Sequence, residues 1–81
     1  MNIYLISQTK VQGYDVYDSA VVVAKSEADA RSIHPDGRVC KIELDRRQYD
    51  WTTQQYVDVE LIGVPFEGVD RGVICASFNA A

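Results

Sequence analysis

One histidine, two cysteines and scattered aspartates are the side chains in this 81-residue sequence that could support covalent or acid–base chemistry. His34 lies in the run IHPDG, Cys40 in RVCKI and Cys75 in VICAS. A Cys–His dyad would need a thiolate in an electropositive, partly exposed setting. Both cysteines instead have apolar neighbours and read as small buried hydrophobes with reduced thiols. His34 reads as a cation at a helix end, and a single histidine excludes a metal site with several imidazole ligands. Asp15, Asp18, Asp36, Asp45 and Asp50 could in principle supply a carboxylate pair, but nothing fixes a pair at acid–base separation, and loop aspartates commonly form turns. Gly13, Gly37, Gly63, Gly68 and Gly72 are separate turn glycines without a GxGxxG or Walker pattern. The residues therefore predict no catalytic centre, no metal and no cofactor.

The aromatic residues point to binding. Tyr14 and Tyr17 flank Asp15 in one loop, and Tyr49, Trp51 and Tyr56 sit in the polar stretch DRRQYDWTTQQY. Such side chains bury large area at low entropic cost, which suits protein interfaces. Trp51 is open to two readings, a cap on the core or an interface anchor. Net charge is −4 and the eight basic residues are dispersed. A nucleic-acid binder usually gathers its cations into a stripe, so direct DNA or RNA binding is not expected. MNIYLISQ lacks the charged start and long apolar core of a signal peptide, and no apolar run reaches the length of a membrane span. The expected location is cytoplasmic.

The elements that must position these residues read as one α+β domain over residues 1–81. NIYLISQ predicts a strand apolar on both faces, hence central in a sheet. The polar connection after it, with Gly13, suits a hairpin into a second strand over Ser19–Ala24, starting as early as Tyr14. Ser26 is an N-cap, Glu27 and Asp29 complement the helix dipole, and Pro35 and Gly37 stop a helix of about eight residues. VCKIEL alternates and could form a short extra strand, and DRRQYDWTTQQY reads as a loop or weak helical turn. VDVELIGV predicts a half-buried strand and GVICASF a last one. The expected architecture is a small antiparallel sheet of two β-hairpins with one short helix on a face, in the order β-β-α-(β)-β-β.

The runs LISQ, GYDVYDSAVV, the Glu27–Gly37 pattern E-A-AR-IHP-G, VELIG and GVICASFNA together resemble a family of small uncharacterised proteins encoded by phages, prophages and related bacterial genomes. The resemblance covers most of the chain except about residues 38–56. In size, acidity and architecture the chain is also similar to anti-CRISPR proteins, which act by blocking a protein surface. The resemblance implies a phage-associated protein-binding module inside a bacterial host cell, inhibiting a host defence protein such as a CRISPR effector complex by steric occlusion. Candidate contacts are Tyr14, Asp15, Tyr17, Tyr49 and Trp51, with Glu43 and Asp45 as acids that could face a basic channel. A second reading is an oligomeric small-ligand or nucleotide-binding sponge, using Arg31, Arg38 or Arg46 for phosphate and tyrosines for stacking. A homodimer fits a chain this small, and a cysteine-dependent enzyme is the third alternative.

Overall fold

Strand β1 (Asn2–Ser7) and strand β2 (Val16–Ala24) pair antiparallel from Asn2↔Ala24 to Ser7↔Ser19. The structure, a computed structural model, describes residues 1–40, 42 and 50–79. The turn between these strands is pinned from within. The buried Gln8 side chain donates to the carbonyls of Val11 (2.8 Å) and Tyr17 (3.1 Å) and accepts from the Val11 N–H (2.8 Å). A buried amide satisfied in this way fixes the loop without leaving a polar atom unpaired.

After β2 the chain enters helix α1 (Glu27–Arg31), which has five residues rather than the expected eight. Ser26 Oγ accepts the Asp29 N–H (3.1 Å), as an N-cap should. Asp29 reaches back past the cap to the Lys25 N–H (2.9 Å), one residue before the N-cap N–H that a capping box would engage. The helix ends early because Ser32 Oγ and N–H both donate to the Asp29 carbonyl. Ile33 then leaves the helix to bridge Val39. One 3₁₀ turn over Gln54–Tyr56 answers to the weak helical turn predicted there. The predicted extra strand falls largely on residues outside the description; within it, Ile42 is exposed.

Strands β3 (Asp58–Gly63) and β4 (Gly72–Asn79) complete a four-stranded antiparallel sheet in the order β3-β1-β2-β4. The second expected hairpin does not form. β3 pairs with β1 and β4 with β2, so the last two strands occupy opposite edges. Once β1 and β2 have paired, each offers a free edge. The eight residues between β3 and β4 can reach about 27 Å, enough to cross the three strand spacings, about 14 Å, that separate those edges.

Alternation decides which side chains enter the core. Tyr4 and Ile6 of β1 join Ala20, Val22 and Ala24 of β2 in one buried cluster. Ala30, Ile33, Cys40, Trp51 and Val57 close it from the helix side. Burying each of the larger side chains contributes about 1.5–3 kcal/mol. Ile3, Leu5 and Val21 lie half-buried on the other face. No helix among the described residues is long and apolar enough to cross a membrane.

Candidate functional site

Among the described residues, the His34 side chain sits in a cluster of polar groups with Asp36, Arg38 and Asp50. The 32–40 segment folds back as a tight turn, with Ile33 opposite Val39, the His34 N–H on the Arg38 carbonyl (2.8 Å) and the Gly37 N–H on the His34 carbonyl (2.8 Å). Gly37 has φ 95°, a left-handed conformation that glycine adopts without a Cβ clash. The turn aims His34 inward, edge-on to Tyr17 at 5.8 Å and near Trp51 at 6.4 Å. Its Nε2 lies 3.0 Å from Asp50 Oδ1, and its Nδ1 lies 2.9 Å from Asp36 Oδ1 and 3.0 Å from the Asp36 backbone N. Arg38 binds the second oxygen of Asp36 and comes within 3.9 Å of the second oxygen of Asp50.

These contacts assign the cluster a role. Partial burial pushes the Asp36 carboxyl up, but the Arg38 N–H and guanidinium and the His34 ring together outweigh it and hold the group below 3.8. Both imidazole nitrogens already have partners, whereas a general base needs one directed at substrate. His34, Asp36 and Asp50 are the described groups that could hold a cation, since their ligand atoms lie within 4.8 Å of one another. A metal there would have to compete with Arg38 for both carboxylates. The arrangement serves as a staple: it ties the 34–38 turn to Asp50, whose carbonyl in turn accepts the Tyr17 N–H (2.8 Å) and so reaches β2. His34 thus does not sit in the last turn of the helix, as predicted from the sequence, because the helix ends at Arg31, three residues before it.

The cysteines are separate from this cluster. Cys40 is buried and its Sγ donates to the Thr52 carbonyl at 3.4 Å. Burial pushes its thiol up to about 11, against a smaller opposing effect of the Trp51 indole. That indole N–H has no conventional hydrogen-bond partner among the described residues. Cys75 is exposed on β4, contrary to the expectation that both thiols are buried.

Of the predicted contact residues, Tyr14 and Asp15 are exposed at the tip of the β1–β2 hairpin. Asp15 takes a left-handed φ of 60°, tolerated by aspartate, while its N–H reaches the Asn79 carbonyl. Two other residues are corrected. Trp51 is 2% exposed and belongs to the core. Tyr17 is half-buried, with its ring against Phe78 at 4.7 Å and packed on the core cluster. The β-bulge at Asp18 shifts its face: simple alternation would put Tyr17 beside Ser19 on the opposite side of the sheet. Glu43, Asp45, Tyr49 and Arg46 lie outside the described residues. Of the arginines predicted for phosphate, Arg31 donates to the Val57 carbonyl, and Arg38 pairs with Asp36 and approaches Asp50.

An apolar surface went unread in the sequence. The end of β3 and the crossover to β4 expose Leu61, Ile62, Val64 and Phe66. A β-bulge at Ile62 turns that residue away from the ladder. Phe66 is 91% exposed. It opens a turn closed by the Val69 N–H on its carbonyl (3.3 Å), with Gly68 at φ 86° as the third residue of a type II turn requires. Glu60, Glu67 and Asp70 in the same stretch of chain are exposed as well. The available signal was VPFEGV, an apolar run inside a turn where no strand or helix period could bury it. Comparison with protein-family models, curated proteins and solved structures finds no match to this chain.

Proposed function

We propose that this protein is a non-enzymatic binding module that occupies a surface of another protein. The observation carrying this reading is Phe66, a large aromatic side chain left in solvent on a turn that follows the exposed Leu61, Ile62 and Val64 in the chain. A solvated phenylalanine contributes nothing to the core and would add about 1.5–3 kcal/mol if buried in a partner's pocket. Exposed Glu60, Glu67 and Asp70 in the same stretch of chain favour a pocket edged by lysine or arginine and would speed encounter with it. Tyr14 and Asp15 provide a second contact point at the opposite end of the sheet. The partner proposed is a host defence protein of a bacterium, with a CRISPR effector complex the specific case suggested by the phage-family resemblance.

Capture from host lysate with wild type and Phe66→Ser tests the binding role. A stoichiometric protein retained by wild type and lost with the variant is the expected result. No stoichiometric protein, or the same one held equally by the variant, overturns it. Phage plating on a CRISPR-immune host tests the finer role: wild type should raise plaque numbers and Phe66→Ser should not.

A further inference from the structure

A sheet edge presents unpaired backbone N–H and C=O groups, and proteins usually protect it with charge, proline or a covering segment. The two edges of this sheet are treated differently. β3 carries exposed Asp58 and Glu60, and the Arg31 guanidinium covers the Val57 carbonyl at its start. β4 runs GVICASFN without a charge or a proline, in a chain with 25% charged residues. From Ile74 to Asn79 every residue is exposed. Both ends of the strand are nevertheless fixed. Arg71, just before it, pairs with Asp29 at 2.8 Å, and the Asn79 side chain donates to the Gly13 carbonyl at 2.7 Å.

We infer that β4 pairs edge to edge with β4 of a second copy of this chain, antiparallel about a two-fold axis, joining two sheets into one of eight strands. Charge selects a second copy as the occupant. In a symmetric antiparallel pair, residues of one strand face residues of the same strand, so any charge near the axis meets its own sign. β4 meets that condition along its whole length, whereas β3 would set carboxylate against carboxylate. A foreign strand imposes no such restriction. The fixed ends mean that the edge is already ordered, which lowers the entropic cost of pairing. β4 itself carries an inserted residue at Ile74, whereas the second register shift, opposite Ser77 and Phe78, inserts Asp18 in β2. Cys75–Asn79 is therefore the stretch of β4 without an extra residue of its own, and Ser77 lies at its centre. This surface is distinct from the Phe66 patch, and either could fail without the other.

Sedimentation velocity over about a hundredfold concentration range reads the association directly. Wild type should move from 9.1 kDa toward twice that mass. Ser77→Lys and Ser77→Glu should each stay at 9.1 kDa, and their equimolar mixture should associate. Hydrogen exchange of wild type provides a second reading without a variant: β4 amides should slow as concentration rises. A wild-type mass fixed at 9.1 kDa throughout, or variants that associate as strongly as wild type, overturns the inference. Phe66→Ser should dimerise normally.

Discussion

Removing the His34 imidazole would leave Asp36 and Asp50 with only Arg38 to separate them, and a cavity against Tyr17 and Trp51. His34→Ala is therefore expected to cost about 2–3 kcal/mol, combining lost hydrogen bonds with lost packing. Asp50→Asn keeps an oxygen for the Nε2–H and should cost less than about 1 kcal/mol. Urea midpoints at constant slope separate the two, and equal losses would show that the carboxylate charge matters more than the hydrogen bond. This staple was hard to read in IHPDG because its partner, Asp50, lies 16 positions away. Ser26, by contrast, was legible, since its partner is the N–H three residues on. Trp51 illustrates the same limit. Its polar neighbours suggest a surface position, yet a fold that brings Cys40 and Ile33 beside it places it in the core.

Among elements, α1 depends on its ends, because five residues cannot hold a helix by their own propensity. Ser26→Ala should lower stability by about 1 kcal/mol, read as a shift in Tm. Asp29 does more than cap: its carboxylate binds Arg71 and the Lys25 N–H, contacts that hold it below 3.8 despite some desolvation. The sign of the pH effect follows. Asp29 and Asp36 both titrate lower in the folded state, so the unfolded chain binds more protons in acid. Their stabilisation is complete above about pH 4 and is lost as pH falls through their folded values. Tm should drop below that pH, and Asp29→Asn should have a lower Tm at neutral pH but a smaller acid drop. Strand positions were largely legible, because Val57 and Val59 alternate with Asp58 and Glu60. Strand partners were not. A local reading joins β3 to β4 as neighbours in sequence, whereas the ladders available to them were the free edges of β1 and β2.

At the scale of the whole molecule, apolar area is divided unevenly. Ile6, Val22 and Val57 are fully buried under a helix of five residues, while Leu61, Ile62, Val64, Phe66 and Ile74 face solvent. A small domain with a thin stability margin leaves these groups out of its core, so the fold does not account for them. The two sets should respond oppositely to polar or smaller substitution. Ile6→Ala should cost about 3 kcal/mol through lost transfer energy and an unfilled cavity. Phe66→Ser should change stability by less than about 0.5 kcal/mol and raise solubility, because its ring is already in water. Denaturant melts of both variants, with light scattering at high concentration, check the contrast. A large loss for Phe66→Ser would show that the crossover turn rests on its aromatic ring, and the patch would then belong to the fold. A neutral result leaves a rigid turn holding an aromatic group away from its own core, an arrangement that gains free energy only when something outside the chain covers it.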